Sequence, residues 1–304
     1  MVQPTSPAVP HISVCVCTYR RAAMLHRLLR DLAGQETGGR FTFAVVVADN
    51  DADRSAAAAV DAARSETALP IEYVAEPRRN IALARNASVA AARGEYIAFI
   101  DDDEFPRVTW LADLLAASDA LGVDGVLGPV EPYFVVAPPA WVTRAGFYQR
   151  PRHATGKPLA WAECRTGNVL FRRAILADDP EPFRAEFGSG GEDQDFFRRM
   201  IARGCRFAWC DEAVVQELVP ASRYRAKFLF RRALLRGRNT FRHPEGRWRN
   251  VLKSCLAAPA YLLALPFCLL GGFHLFMRYL VKSGDHAGRL LAVCRIHPVA
   301  ERDM

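Results

Sequence analysis

The sequence predicts an α/β fold: a mixed, mainly parallel sheet flanked by helices, followed by a separate helical tail. Three observations predict it. Over the first hundred residues, apolar β-branched runs alternate with helical stretches at roughly 25–30 residues per unit, the signature of βαβ units. Each apolar run ends in a polar, charged stretch, and open sheets of this class bind ligands at the carboxyl ends of their strands. The charge is divided: residues 1–219 carry 24 basic and 29 acidic side chains, whereas 220–304 carry 16 basic and 4 acidic.

The elements follow in order. Ile12–Cys17 is a continuous apolar run, as a strand buried on both faces requires. Ala22–Gln35 sets Leu25, Leu28, Leu29 and Leu32 on one helical stripe. Phe43–Ala48 is a second buried strand, Asp53–Arg64 an Ala-rich helix, and Ile71–Ala75 a third strand. Ile81–Arg93 is a helix closed by Gly94, and the fourth strand, Tyr96–Ile100, runs straight into Asp101-Asp102-Asp103. Thr109–Ala120 is a helix carrying Trp110, Leu111, Leu114 and Leu115. Residues 132–160, rich in proline and aromatics, are expected as a long loop over the site. Gly167–Phe171 is a strand, and Gly188–Gly191 a flexible turn before a helix over Glu192–Arg203, which Gly204 stops. Arg206–Cys210 and Ala213–Val219 close the body.

With 304 residues, 51% apolar and 24% charged, the chain is globular, and disordered or fibrous classes are excluded. The eight cysteines form no C-x-x-C pair and the histidines lack zinc-finger spacing, so the thiols are expected as small buried hydrophobes in a reducing compartment. No basic stretch followed by an apolar export signal opens the sequence, so the body is expected to remain in the cytoplasm. Residues 1–245 are expected as the body, with 10–105 and 106–220 as its halves, and 246–304 as the tail. Arg223–Lys253 holds eleven basic residues and one acid. Ser254–Phe273 is then twenty residues without a charge, long enough to span a bilayer but interrupted by Pro259 and Pro266. A full span, an interfacial hairpin and a buried soluble helix all remain open; the basic flank matches the cytoplasmic side of a membrane.

Asp101-Asp102-Asp103 is the sharpest chemical feature. Carboxylates delivered to the exposed end of a buried strand suit a hard divalent ion, Mg²⁺ or Mn²⁺, which shares oxygen ligands with substrate phosphates. Glu192-Asp193 opens a helix whose dipole favours carboxylates, so a simple N-terminal role is one reading. The glycine-rich run before it allows a ligand close, and Asp193 could then accept a proton from an attacking hydroxyl. Asp195 reads as a first-turn acid.

Taken together and in order, Val16–Arg21, Val47–Asp51, Asn80–Asn86, Asp101–Asp103, Thr166–Asn168 and Gly191–Asp193 resemble glycosyltransferase family 2 with its GT-A, Rossmann-like fold. The resemblance covers about residues 10–240 and is nearest to bacterial members that build succinoglycan-type exopolysaccharides on a membrane lipid carrier. It implies an inverting transfer of one sugar from a nucleotide-diphospho sugar, with a UDP-sugar favoured, to a saccharide or lipid-linked acceptor at the bacterial inner membrane. Asp101 and Asp103 would hold the metal ion. Thr18, Arg20, Asp49 and Asp51 would meet the nucleotide, with Asp102 beside them. Arg79 and Arg85 would lie near the diphosphate or sugar, although Arg85 also reads as a structural ion pair. Gly167 and Asn168 would lie where sugar or acceptor binds. Asp193 would be the base and Glu192 its support.

Two features depart from the family pattern. Gln216-Glu217 stands where many relatives place a histidine, which puts an added metal contact there in doubt. The Q-x-x-R-W motif of processive synthases is absent after Val219-Pro220, which argues for one sugar per encounter. Asn86-Ala87-Ser88 is a formal glycosylation sequon, discounted because it falls inside a helix of the donor site. A polyprenyl-phosphate sugar synthase is the rival enzyme. A non-catalytic protein gripping an anionic membrane would leave the ordered acids at strand ends unexplained, and the long apolar run argues against nucleic acid.

Overall fold

A computed structural model describes residues 11–177, 179–242, 246–296 and 298–299. Strand β1 (His11–Thr18) leads to α1 (Ala22–Ala33), then β2 (Thr42–Asp49), α2 (Ala57–Glu66), β3 (Ile71–Ala75), α3 (Ile81–Ala91) and β4 (Tyr96–Ile100). After these βαβ units come β5 (Glu104–Pro106), α4 (Trp110–Leu121), β6 (Gly125–Leu127) and β7 (Val130–Tyr133). They are followed by α5 (Ala140–Ala145), β8 (Asn168–Arg172), α6 (Glu192–Ala202), β9 (Phe207–Trp209) and β10 (Val215–Leu218). The chain ends in three helices, α7 (Ala226–Arg242), α8 (Arg247–Leu270) and α9 (Phe273–Val293).

The chain divides into two compact units. The first comprises residues 1–131, 150–188 and 192–217, the second 132–149, 189–191 and 218–304. In the first, a seven-stranded sheet has the order β3-β2-β1-β4-β8-β6-β9. Strands β1 to β4 are mutually parallel, as expected; β8 runs antiparallel between β4 and β6, so the sheet is mixed. Strand alternation sends Ile12, Val14 and Val16 to one face, against the leucine stripe of α1, Val60 of α2 and Trp110 of α4. The other face packs Phe99 and Phe171 against Phe183 and α6, whose Phe196, Phe197 and Met200 are fully buried. Aromatic rings meet edge-on or tilted throughout that layer, as their quadrupoles favour. The chain winds outward from β1 to β3 and then returns to lay β4 on the other side of β1. That reversal opens a crevice at the carboxyl ends of β1 and β4.

The proline-rich stretch is not a plain loop. It contains α5, which starts after Pro139 and stops at Gly146 in the left-handed conformation. Trp141, Phe134 and Tyr148 supply the aromatic packing that orders it. The cysteines are all free, but Cys255 and Cys294 are exposed, against the expectation that all are buried. Cys255 lies on α8 and Cys294 caps α9, in the tail, where apolar sequence does not mean interior position. Pro259 and Pro266 do not end α8. Both lie on its exposed side, and the segment stays helical through them.

Candidate active site

The crevice is built by ligation across the sheet reversal. Thr18, the last residue of β1, is buried and donates from Oγ1 to Asp102 Oδ2 at 2.7 Å. Arg21, which the sequence did not single out, reaches the same acids: its Nη1 lies 2.9 Å from Asp102 and 3.1 Å from Asp103. One cation thereby bridges two consecutive carboxylates, both of them buried. Asp101 points elsewhere and keeps half of its side chain open. Desolvation by the surrounding protein, reinforced by Asp103 and Asp102, raises Asp101 to about 6 against the pull of Arg85.

Asn168 pairs opposite Ile100 in the β4–β8 ladder, which sets Gly167 beside Asp101. A side chain on Gly167 would sit 2.8 Å from Glu104 Oε1 and 3.1 Å from Asp101 Oδ2, so only glycine keeps that carboxylate face clear. Asn168 itself is buried and fully engaged: its Oδ1 accepts from Trp110 Nε1 at 2.8 Å, and its Nδ2 donates to the carbonyls of Pro129 and Ala213. It braces α4 and the chain around β6 and β10 beneath the crevice.

Asp49 is likewise committed inward. Its carboxylate accepts from the backbone N–H groups of Asp51 and Ala56 and from Tyr73 Oη, which shapes the turn after β2. Asp51 pairs with Arg20, whose Nε is 3.0 Å away, and Arg20 also reaches Asp53. Arg20 holds this position with φ of 53°, a left-handed conformation unusual for a side-chain-bearing residue. The Arg20 guanidinium holds the Asp51 carboxyl below its ordinary range. Arg79 is exposed and stacks over the Tyr19 ring at 4.9 Å, with Arg20 against the same ring at 5.3 Å. Tyr19 is thus a cation-flanked aromatic at the mouth of β1.

Arg85 joins the two acidic motifs. It is buried on α3, its Nη1 bonded to Glu192 Oε1 and its Nη2 3.7 Å from Asp101 Oδ1. Arg85 thus forms an ion pair from the helix, as one of its two readings expects, and it also lies against Asp101. Burial pushes Glu192 up to about 7 despite Arg85, and the neighbouring Asp193 adds to that rise. Glu192 Oε2 is buried without a hydrogen bond among the described residues. Asp193 is more open. It is only partly buried, and among the described residues its carboxylate accepts solely from the N–H of Gln194, at 2.7 Å. Asp195 is the structural acid of this helix, completely buried among Arg184, Arg198 and Arg199.

Backbone approach sets where α6 begins. Asn80 caps α3, its Oδ1 accepting from Ala82 and Leu83, and its Nδ2 donates to the Ala185 carbonyl. Gly188 packs so tightly on Asn80 that a Cβ there would fall 1.9 Å from Oδ1. Asn86, the sequon residue, is buried and bonded through both amide ends to the Phe183 backbone. Glu217 lies opposite Glu104 in the β10–β5 pairing and is ion-paired to Arg150. The sequence reading gave no individual role to Arg21, Asn80, Gly188 or Glu104. Arg21, Asn80 and Glu104 lie in the polar stretches at strand ends, and Glu104 accepts from the nearby Asp101 N–H, so a signal was present; the contact of Gly188 with Asn80 joins distant sequence. Among the described residues, no group of three or more His, Cys, Asp or Glu gathers as a metal cluster.

Comparison with known proteins gives the family and the fold. The sequence profile of glycosyl transferase family 2 matches residues 13–178. The chain is 38% identical over 270 residues to succinoglycan biosynthesis protein ExoM of Rhizobium meliloti, covering 84% of this chain and 85% of that one. It is 24% identical to the chondroitin synthase of Pasteurella multocida over 69% of this chain, but spans only 25% of that protein. Among solved structures, the mannosyltransferase PcManGT of Pyrobaculum calidifontis, in complex with GDP-Man and Mn²⁺, superposes with a TM-score of 0.61 at 20% identity, covering 95% of this chain and 89% of that one. TarS 1–349 of S. aureus in complex with UDP gives 0.52 at 18% identity, covering 92% and 89%. These two likenesses show the shared fold.

Proposed function

The chain belongs to glycosyl transferase family 2, and from that premise we propose that it transfers one sugar, with inversion, from a nucleotide-diphospho sugar to a saccharide carried on a lipid. The setting is bacterial surface-polysaccharide assembly at the cytoplasmic face of the inner membrane. Likeness to ExoM over most of both chains supports the polymer class. The UDP complex of TarS and the GDP-Man complex of PcManGT support a nucleotide-sugar donor, and a UDP-sugar is favoured.

One observation carries the mechanism: Arg85 ties Asp101 of the acidic triplet to Glu192, next to Asp193, at the sheet reversal. Tyr19, Arg20 and Arg79 offer an aromatic, cationic mouth for base and phosphate, while Asp49 and Asp51 hold the turn that shapes it. Oxygen-only donors and the open half of Asp101 fit a hard ion that takes its remaining ligands from phosphate and water. Asp101 and Asp103 would hold Mg²⁺ or Mn²⁺, which supplies charge neutralisation on the departing diphosphate. Asp193 takes the proton of the acceptor hydroxyl as its oxygen bonds to the anomeric carbon and the bond to the diphosphate oxygen breaks. Its open lone pairs suit that task, and α6, anchored by Phe196, Phe197 and Met200, mounts it rigidly. Glu192 is a positioning residue, locked to Arg85.

The test separates binding from chemistry. Asp193→Asn keeps shape but loses proton affinity. Turnover should fall by ~10²-fold or more while nucleotide-sugar affinity in Mn²⁺ stays level. Asp103→Ala should instead weaken donor binding. Normal turnover of Asp193→Asn, or undiminished turnover in excess chelator, overturns the assignment. Transfer to lipid phosphate itself, in place of a lipid-linked saccharide, would identify the acceptor as a polyprenyl phosphate.

A further inference from the structure

Helix α8 presents an apolar face to solvent. Trp248, Leu252, Leu256, Leu263, Phe267 and Leu270 recur at intervals of three, four or seven, which puts them on one stripe. They are among the most exposed large apolar residues described: Leu256 71%, Leu263 75%, Phe267 74% and Leu270 88%. The stripe runs about 33 Å, at 1.5 Å per residue. A contiguous apolar face of this length marks an interaction surface.

The rest of the tail unit decides its partner. Helix α9 packs along both α7 and α8. Gly237 and Gly288 let the backbones of α7 and α9 touch: a Cβ on either would lie 2.0 or 2.1 Å from a carbonyl oxygen of the opposite helix. On the other side, Ser254 Oγ meets His286 Nδ1 at 3.0 Å, and Tyr261 stacks on His286 and lies edge-on to Tyr279. Helix α8 therefore does not stand alone. Crossing a bilayer would carry α9 with it, including the exposed Arg278 and Lys282 and the Arg236–Asp285 ion pair to α7. Arg249 and Lys253 are exposed at the amino end of α8, and residues 220–304 carry 16 basic against 4 acidic side chains. That charge complements anionic headgroups.

We propose that α8 lies in the plane of one leaflet of an anionic phospholipid bilayer, its apolar stripe among the upper acyl chains, and does not cross. The inference rests on the membrane setting proposed above and specifies how the chain meets it. The test uses the full chain with vesicles of phosphatidylcholine alone or mixed equally with phosphatidylglycerol. Co-sedimentation should require phosphatidylglycerol, weaken at high salt, and fall by about tenfold or more in L256E/L263E/F267E. All three positions are exposed, so far-UV circular dichroism and nucleotide-sugar binding should be unchanged. Alkaline carbonate should release the bound protein. In F267W, bromines near the top of the acyl chain should quench indole fluorescence more than bromines near its end. Resistance to carbonate, or deeper bromines quenching more, overturns the in-plane helix and leaves the membrane setting standing. Absence of binding to either vesicle overturns both. Unaltered binding of the triple variant, or a stable dimer that it dissociates without any vesicle binding, also overturns the proposal. Transfer to a water-soluble acceptor analogue, assayed without vesicles, reports on the reaction independently.

Discussion

Asn168→Leu tests whether this residue braces the crevice or meets the sugar. The substitution keeps approximate size and removes the amide. It orphans three buried partners: the Trp110 indole N–H and the carbonyls of Pro129 and Ala213. A buried polar group left unpaired costs about 1–3 kcal/mol. Relaxation is restricted here, because the chain at Gly128 already packs so closely on Ala213 that a Cβ there would fall 2.2 Å from the Ala213 carbonyl oxygen. A loss of about 3–5 kcal/mol follows, a large part of the ~5–15 kcal/mol typical of a domain. Equilibrium urea denaturation measures it through the midpoint at constant slope. Trp110→Phe removes only one of the three bonds and should cost less. In the double variant the losses should fall short of additivity by about 0.5–3 kcal/mol, since the two residues share one bond. Nucleotide-sugar affinity of the folded fraction should stay within about threefold, a change under about 1 kcal/mol. The reasoning fails if Asn168→Leu is as stable as the parent while donor or acceptor affinity collapses. Asn168 would then be a ligand contact and its internal bonds expendable.

Two further outcomes follow from the same site. Gly188→Ala drives a methyl into Asn80 and should cost about 1–3 kcal/mol through overpacking and a disturbed α3 cap; in an Asn80→Ala background the loss should shrink, and an undiminished loss would refute the contact. Glu192 is raised from 4.5 to about 7 by burial, so its protonated form favours the fold. The stability this gives is fully present below pH 4.5 and is lost as pH rises through 7. The parent minus Glu192→Gln stability difference should therefore slope across that window, and a flat difference curve would contradict the burial reading.

Much of this was legible from residue order alone. Short runs such as Ile12–Cys17 and Tyr96–Ile100, largely apolar and bounded by polar stretches at regular spacing, indicate strands buried on both faces. Leu25, Leu28, Leu29 and Leu32 specify which side of α1 faces the sheet, since helical period is a local property. The acids after β4 and at the start of α6 announced chemistry for the same reason: charge at the end of a buried element is visible without a partner. Their partners were not visible. Arg85 stands 107 residues from Glu192, and nothing in either neighbourhood announces that the two side chains meet and are buried together. Asn168 and Asp49 look like ligand contacts in sequence and hold backbone and indole groups in the structure, because a polar side chain satisfies whichever donors the fold brings near. In the tail, composition defines the apolar run Ser254–Phe273 but not what it packs on. Only the tertiary structure shows α9 packed against both α7 and α8, because contacts between helices depend on side chains far apart in sequence; the proposed in-plane placement of α8 rests on that packing.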